Sequence, residues 1–247
     1  MSLLVVDRLQ RSFGGVRAVD GVSFTLDADH FAALIGPNGA GKSTLFNLID
    51  GQIAPDSGSV TYEGQPLAGL STAQRTWRGI GRTFQVAQTF ATMTVLQNAQ
   101  LALTVAHGNA ERTVTALWNL HVDAARSLLL KVGLEARSDS AASELAYGDL
   151  KRLELALALA TRPRLLLMDE PTAGMAPAER TALMQLVAQL ARELSIAVLF
   201  TEHSMDVVFG FARRVLVMSQ GRLIADGAPD VVRDDPEVQR VYLGAEV

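Results

Sequence analysis

The sequence predicts an α/β fold with a mixed sheet, an N-terminal antiparallel β part and an inserted helical subdomain. Three observations lead to this class. A continuous apolar run precedes a glycine-rich loop, a β/α alternation returns near residue 165, and the stretch between them has helical apolar spacing. We therefore expect one domain over residues 1–247, in which residues 1–90 and 160–247 form the core and about 91–159 the helical subdomain.

The first elements are two half-buried strands followed by a fully buried one. Leu3–Leu9 and Val22–Leu26 alternate apolar and polar residues, and Phe13-Gly14-Gly15 predicts a turn between them. Phe31–Ile35 is apolar throughout, which is typical of a strand covered on both faces. This strand ends at the glycine-rich loop, and Lys42–Asp50 is predicted to form the next helix.

The middle of the chain is helical before the strands return. Apolar residues recur at helical intervals between Thr92 and Val132, and a helix predicted over Asp149–Ala160 is stopped by Arg162-Pro163. The elements expected after it are strands at Leu165–Asp169 and Ile196–Thr201, helices at Ala178–Leu194 and Met205–Phe211, and a hairpin of Val215–Ser219 with Arg222–Ala225.

Composition limits the classes of function. The net charge is −4, from 22 basic and 26 acidic residues, so no basic excess indicates a nucleic-acid partner. Cysteine is absent, which fits a reducing cytoplasm and excludes thiolate metal sites. The N-terminus lacks the pattern of a secretory signal, and no apolar run approaches the ~18 residues needed to cross a bilayer. We expect a soluble protein whose membrane role, if it has one, depends on a partner.

The glycine-rich loop matches the pattern G-x-x-x-x-G-K-S/T and predicts a P-loop NTPase core. Glycines allow successive main-chain N–H groups to face a polyphosphate, and the following helix N-terminus adds to this attraction. Lys42 is expected at the β- and γ-phosphates of ATP, and the Ser43 hydroxyl is expected to ligate Mg²⁺. The alternative is a chance match in a turn, which the strand-loop-helix context disfavours. The predicted ATP-binding residues are Gly36, Pro37, Asn38, Gly39, Ala40, Gly41, Lys42, Ser43 and Thr44.

Two adjacent carboxylates follow the apolar strand Leu165–Met168. Asp169 is predicted to bind Mg²⁺ directly or through water, and Glu170 to polarise the attacking water. The alternative is a core strand with a polar end and a turn at Pro171. Together with the phosphate loop, the pair favours ATP hydrolysis.

These segments resemble the ATPase subunit of ATP-binding-cassette transporters, over almost the whole chain. Phe13 stands where that family has an adenine-stacking aromatic, and Gln85 where it has a glutamine that touches Mg²⁺, assists catalysis and faces the membrane partner. Leu145–Asp149 occupies the signature position and Ala173–Ala176 that of the dimer-interface loop. His203 ends a strand where the family has its catalytic switch histidine, and carboxyl ends of parallel strands share one crevice.

The resemblance implies a composite site. Ala146, Tyr147, Gly148 and Asp149 are expected to approach the γ-phosphate of ATP held by the opposite subunit. The family signature is usually Leu-Ser-Gly-Gly-Gln, so Ala146 cannot supply the serine hydroxyl and Asp149 adds negative charge. Ala176 stands where the interface loop commonly has an aspartate. We expect these departures to weaken ATP-dependent dimerisation modestly while leaving the hydrolytic residues intact.

Several segments narrow the resemblance to the ATPases of branched-chain amino-acid importers. They are Gly81–Gln85, Leu145–Gly148, Ala173–Met175 and Pro236–Gly244. Urea/amide importers and the lipopolysaccharide-export ATPase share parts of this pattern and remain alternatives. The resemblance implies transmembrane permease subunits, a homodimer or a heterodimer with a similar ATPase, an indirect link to a periplasmic binding protein, and a place on the cytoplasmic face of the inner membrane.

Two more distant classes remain. A soluble ATPase of DNA repair or translation would have long coiled coils or two cassettes, and this chain has neither sustained heptads nor an internal repeat. A small-molecule P-loop kinase would account for Lys42 and Asp169, but not for Gln85, Leu145–Asp149 and His203 in that order. His30, His107 and His121 have no partner motif and are interpreted as surface or structural residues.

Overall fold

The computed structural model describes residues 2–84, 89–108 and 119–243, and the side chains within them up to residue 241. The strands in this part are β1 (Leu4–Phe13), β2 (Val16–Leu26), β3 (Phe31–Ile35), β4 (Ser57–Tyr62), β5 (Gln65–Pro66), β6 (Ile80–Thr83), β7 (Leu165–Asp169), β8 (Ala197–Thr201), β9 (Arg214–Ser219) and β10 (Arg222–Gly227). The α-helices are α1 (Lys42–Asp50), α2 (Thr72–Trp77), α3 (Val95–Ala106), α4 (Val122–Lys131), α5 (Tyr147–Leu159), α6 (Pro177–Leu194), α7 (Met205–Phe211), α8 (Pro229–Arg233) and α9 (Pro236–Val238).

The N-terminal sheet has the strand order β2-β1-β4-β5 and is antiparallel, as predicted. Its first two strands are longer than predicted and meet at a two-residue turn of Gly14 and Gly15, both with positive φ. Phe13 is therefore the last residue of β1 and not part of the turn. The prediction ended β1 too early because residues 12–17 are exposed, so no apolar alternation marks this end of the hairpin.

The second sheet has the order β10-β9-β3-β8-β7-β6. Strands β9, β3, β8, β7 and β6 run parallel, and β10 is an antiparallel edge strand, so the sheet is mixed. Because five strands share one direction, the residues that follow β3, β7 and β8 lie at the same edge. The phosphate loop, the two carboxylates and His203 are thus brought to one side of the molecule.

Alternate residues of β3 enter two different cores. Phe31, Ala33 and Ile35 pack in the core that contains residues of α3 to α7, while Ala32 and Leu34 pack with α1 and the antiparallel sheet. Each residue of the strand is at most 7% exposed. Burial on both faces explains why the strand is apolar throughout and has no alternation.

The helical segment packs through α3, α4 and α5, which contact one another. Helix α5 begins at Tyr147, with Ala146 as its N-cap, so the prediction that this helix starts at Asp149 was two residues too late. Tyr147, Gly148 and Asp149 therefore form the first turn of a helix rather than a loop before one.

A buried arginine fixes the far end of the phosphate-loop helix. Arg75, on α2, is 6% exposed and donates hydrogen bonds to the carbonyls of Leu48 and Ile49 at the end of α1 and to that of Leu67. Its charge lies at the negative end of the helix dipole, where a cation is stabilising. Within the described residues, no helix combines the length and the apolar character needed to span a membrane.

Candidate nucleotide-hydrolysis site

The phosphate loop follows β3 and depends on two glycines. Gly36 has φ +152° and Gly41 φ +103°, and a Cβ on either would collide with a main-chain oxygen, that of Met218 or of Ala18. Only glycine allows the loop to approach β9 and β2 this closely. The loop is thus held between two strands before helix α1 begins.

The start of helix α1 is open to a ligand. Gly41 is its N-cap, no side chain caps its first turn, and that turn contains no acidic residue. The N–H groups of a helix start point outward and favour an anion. The Ser43 side chain is exposed in this turn. The geometry suits phosphate groups above the loop.

Lys42 folds back over the loop. Its Nζ donates hydrogen bonds to the carbonyl oxygens of Gly36 (2.7 Å) and Pro37 (3.2 Å), and the residue is 7% exposed. Burial lowers the pKa of Lys42, while the charges of Glu170 and then Asp169 oppose this shift. A phosphate group would provide the desolvated ammonium with a stronger partner than two carbonyls.

Asp169 ends β7 and is held on both of its oxygens. Oδ1 accepts a hydrogen bond from the Thr201 hydroxyl at 2.7 Å, and Oδ2 lies 3.5 Å from Nη2 of Arg82. Mg²⁺ takes oxygen ligands and usually keeps several waters and substrate phosphates. The Asp169 carboxylate and the exposed Ser43 hydroxyl are ligands of this kind, so the donor set fits Mg²⁺.

Glu170 and His203 meet across the ends of β7 and β8. His203 Nε2 lies 2.8 Å from Glu170 Oε1. Glu170 has φ +46°, and its N–H lies 3.0 Å from the Thr201 hydroxyl and 3.2 Å from the Thr201 carbonyl oxygen. Both side chains remain accessible, at 44% exposed for His203 and 19% for Glu170. An accessible carboxylate and imidazole can orient and deprotonate a water molecule.

The signature segment lies beside the interface loop of its own chain. A Cβ on Gly174 would lie 3.7 Å from Tyr147 Cε1, and one on Gly148 would lie 3.6 Å from Met175 Cε. Ala146 is exposed, has β-region dihedrals, and makes no side-chain cap. Within the described part of the chain, no hydrogen bond joins this segment to the phosphate loop. The two groups of predicted site residues are therefore not joined by a hydrogen bond within the described part of one chain.

Comparison with known proteins identifies the family. The ABC transporter family profile matches residues 19–173, more than half of the chain. The chain belongs to the ABC transporter family. A second profile, described as that of the branched-chain amino acid ATP-binding cassette transporter, matches residues 222–247.

Relatives of this ABC ATPase are similar over nearly its whole length. The high-affinity branched-chain amino acid transport ATP-binding protein LivG of Salmonella typhimurium is 38% identical, with 98% of each chain covered. The lipopolysaccharide export system ATP-binding protein LptB of Haemophilus influenzae is 31% identical, covering 100% of this chain and 99% of its own. The ADP conformation of an ATP-binding cassette of an ABC transporter has a TM-score of 0.86 at 33% identity, with 99% of each chain covered. The predicted family, P-loop fold and ATPase activity are confirmed.

One predicted site residue, Phe13, lies on the N-terminal hairpin, outside the cluster formed by Lys42, Asp169, Glu170 and His203. Phe13 is 46% exposed near the tip of the β1–β2 hairpin, and the Arg11 guanidinium carbon lies 4.8 Å from the centroid of its ring. The same hairpin reaches the phosphate loop at Ala18, next to Gly41. Gln85 lies outside the described residues, so its place in the site stays a prediction.

Arg82 is a site residue that the sequence analysis missed. Its Nη1 lies 2.6 Å from Asp50 Oδ2 and its Nη2 reaches Asp169, so it links the end of α1 to the end of β7. Its side chain is 8% exposed. The arginine of the Gly81–Gln85 run was visible in the sequence, but nothing there indicated its two acidic partners.

The Lys151–Glu154 pair is a second feature that the sequence analysis missed. Glu154 accepts a hydrogen bond from the Phe84 N–H at 2.6 Å, and Lys151 Nζ donates to the Phe84 carbonyl at 3.1 Å. The two side chains also pair with each other at 3.1 Å, and burial raises the pKa of Glu154. We call this arrangement the Phe84 clamp. A lysine and a glutamate three residues apart in an apolar helix were the available signal.

Proposed function

We propose that this chain is the ATPase of an importer of branched-chain amino acids. The supporting observation is the branched-chain profile at residues 222–247, together with the similarity to LivG over nearly the whole chain. The LptB relative is less similar and provides the lesser alternative, lipopolysaccharide export. We further propose that the chain acts as a single cassette in which the helical segment, about residues 91–159, moves relative to the rest.

In the proposed site, the phosphate loop binds the ATP phosphates and Phe13 stacks on the adenine. Lys42 leaves the carbonyls of Gly36 and Pro37 for the β- and γ-phosphates, because charge-assisted hydrogen bonds to phosphate are stronger. Ser43, Asp169 and Gln85 would hold Mg²⁺, which when bound neutralises charge on the phosphates. Arg82 keeps the Asp169 carboxylate in place.

Hydrolysis is proposed to start from the Glu170–His203 pair. In the described arrangement these side chains contact each other at 2.8 Å. The γ-phosphate would attract the imidazole away from Glu170, which leaves the carboxylate free to accept a proton from the attacking water. His203 then donates a hydrogen bond to the γ-phosphate and keeps the water in line. Gln85 completes the water's orientation and relays the state of the site to the membrane partner.

The second half of each site is proposed to come from another ATPase subunit. Ala146–Asp149 of one copy would face the γ-phosphate bound by the other, in a homodimer or a heterodimer. The open N-terminus of α5 supplies main-chain N–H groups for this contact, although Ala146 supplies no hydroxyl. Closure of the dimer would drive transmembrane permease subunits that receive cargo from a periplasmic binding protein. The ATPase would lie at the cytoplasmic face of the inner membrane, without a nucleic-acid partner.

The substitution Glu170→Gln tests the hydrolytic assignment. It should leave ATP affinity within about threefold and reduce turnover by roughly 100-fold or more, as expected when a catalytic proton acceptor is lost. Nucleotide binding is measured by calorimetry and turnover by phosphate release. Glu193→Gln, at an exposed glutamate near the end of α6, is the matched control. Wild-type turnover in E170Q would remove Glu170 from the proposed role.

A deletion strain of the native host tests the cargo assignment. Uptake of radiolabelled leucine, isoleucine and valine should fall and return with the wild-type gene but not with E170Q. Uptake of labelled urea serves as the control cargo. A normal rate of branched-chain uptake together with loss of surface lipopolysaccharide would contradict the proposed import and favour export.

A further inference from the structure

Glu202 is a buried carboxyl group that lies between two loops of the site. It is 3% exposed, although it directly precedes the exposed His203. Its Oε1 accepts hydrogen bonds from the Thr172 N–H at 2.8 Å and from the Thr172 hydroxyl at 2.6 Å. Its Oε2 accepts one from the His203 N–H at 3.2 Å. Both oxygens are therefore engaged, one on each loop.

No cation pairs with Glu202 among the described residues, so its burial depends on these three donors. Burying a carboxyl group is costly unless hydrogen bonds satisfy it. Thr172 is itself 1% exposed, so its N–H and hydroxyl have no access to bulk water as partners. Removal of Glu202 would leave buried donors unsatisfied on one loop and release the other.

The two loops lead to the predicted interface loop and to the histidine that contacts Glu170. Thr172 opens the turn that leads to the interface loop Ala173–Ala176, and His203 contacts Glu170. A second connection supports the same pair of loops: Arg180 donates to the Met175 carbonyl at 2.8 Å and lies 3.4 Å from the Ser204 hydroxyl. Glu202 therefore connects the two segments at Thr172 and His203, and Arg180 connects them again at Met175 and Ser204.

We infer that Glu202 is a positioning residue that makes the interface loop and His203 move as one unit. A subunit that docks on Ala173–Ala176 would thereby set the place of the His203 imidazole relative to Glu170. This inference rests on the proposed roles of Glu170 and His203, and adds that their geometry depends on what contacts the interface loop. The residue acts through its hydrogen bonds and does not touch the nucleotide.

The substitution Glu202→Gln is the direct test, because the amide can accept from Thr172 with its oxygen but cannot accept from the His203 N–H with its nitrogen. We expect kcat to fall roughly tenfold, the effect of losing one hydrogen bond to a charged group, with the KM for ATP within about twofold. The His203 ring resonances of the E202Q protein should also shift in NMR spectra. Glu193→Gln should change neither kcat nor the His203 ring resonances.

Thr172→Val removes only the hydroxyl donor. The matched control is Thr181→Val, since the Thr181 hydroxyl donates to the Pro177 carbonyl of its own helix. The double variant E202Q/T172V should lose no more than about twofold beyond E202Q, because both changes break one connection. If the losses of kcat in E202Q and T172V add fully in the double variant, the two changes do not act through one connection and the proposed coupling through Glu202 fails.

Two results would overturn the positioning role of Glu202. One is wild-type kcat and unshifted His203 resonances in E202Q. The other is a loss of kcat that matches the loss of folded protein in thermal melts, without any shift of His203. E170Q and His203→Ala are measured in parallel. If those two variants retain wild-type hydrolysis, the proposed catalytic roles fail, whatever E202Q does. If they lose it and E202Q does not, only the inference about Glu202 fails.

Discussion

The phosphate half of the site, made of Lys42, Asp169, Glu170 and His203, differs from the signature half in how it holds its charged groups. In the phosphate half, His203 contacts Glu170, Lys42 donates to main-chain carbonyls, and Asp169 contacts Arg82 and the Thr201 hydroxyl. The His203 side chain is 44% exposed and that of Glu170 19%. A ligand can therefore reach His203 and Glu170 and replace their present contact with each other.

The signature half consists of Ala146–Asp149 and the Phe84 clamp that follows in the same helix. The clamp side chains are 2% exposed for Lys151 and 7% for Glu154, and both hold the main chain of Phe84. Replacement of these partners by a ligand or by water would require opening the core. Buried pairs of this kind are costly to break.

The difference indicates which groups are suited to bind a ligand and which are suited to transmit a displacement. Accessible pairs in the phosphate half are suited to exchange partners when ATP arrives. The Phe84 clamp is suited to carry displacement, because it joins the signature helix α5 to the residue just before Gln85. Substitutions in the first half should thus affect turnover with little effect on stability, and substitutions in the clamp should affect stability as well.

The largest effect on turnover is expected from Lys42→Met. It should reduce ATP binding and lower hydrolysis by roughly 100-fold or more, because a preorganised cation on the phosphates is lost. Its melting temperature should stay within a few degrees of wild type, since burial already disfavours the charged form of Lys42. Lys131→Met, at an exposed lysine at the end of α4, is the control. A large fall in the K42M melting temperature would contradict the expectation that substitutions in the phosphate half have little effect on stability.

The largest effect on stability is expected from Lys151→Met. It leaves Glu154 buried without its cation and should lower the free energy of unfolding by about 3 kcal/mol. Urea denaturation monitored by circular dichroism measures the change. Arg233→Met removes two ion pairs at the surface, with Asp230 and Asp234, whose side chains are 85% and 76% exposed, and should cost less than about 1 kcal/mol. Equal costs for the two variants would show that the clamp is no stronger than a surface pair.

The sequence predicted the phosphate half better than the signature half, for a physical reason. Strand β3 and strand β7 are short apolar runs buried on both faces, and their site residues follow directly at their carboxyl ends. These features are local, so a pattern over ten residues contains them. The roles of Lys42, Asp169, Glu170 and His203 remain predictions, but their meeting at one edge follows from parallel pairing.

The missed features depend on contacts between distant segments. Glu154 and Phe84 are 70 positions apart, and Glu202 and Thr172 are 30 apart. Long polar side chains that hydrogen-bond to a remote main chain have no periodic signal, because their partners are set by the tertiary structure. Arg82 is of the same kind, since its two carboxylate partners come from different elements.

The smallest effect is expected from Ala146→Ser, which restores the hydroxyl that the family signature usually has. Serine is a good N-cap, so the variant should gain about 0.5–1 kcal/mol of stability at the start of α5. Ala228→Ser gives a matched control, because Ala228 is also an uncapped N-cap, with nearly the same dihedrals (φ −62°, ψ 149°, against φ −61°, ψ 154° for Ala146).

Both serine variants should gain similar stability, but only A146S should change ATP-dependent behaviour. In an E170Q background, the ATP concentration needed for dimerisation in gel filtration should fall about two- to fivefold for A146S and stay unchanged for A228S, as expected for one added hydrogen bond to a phosphate. If A146S gains stability without promoting dimerisation, the hydroxyl does not reach the nucleotide of the opposite subunit. The main-chain N–H groups of α5 would then carry that contact alone, and the departure from the usual signature would have no consequence for assembly.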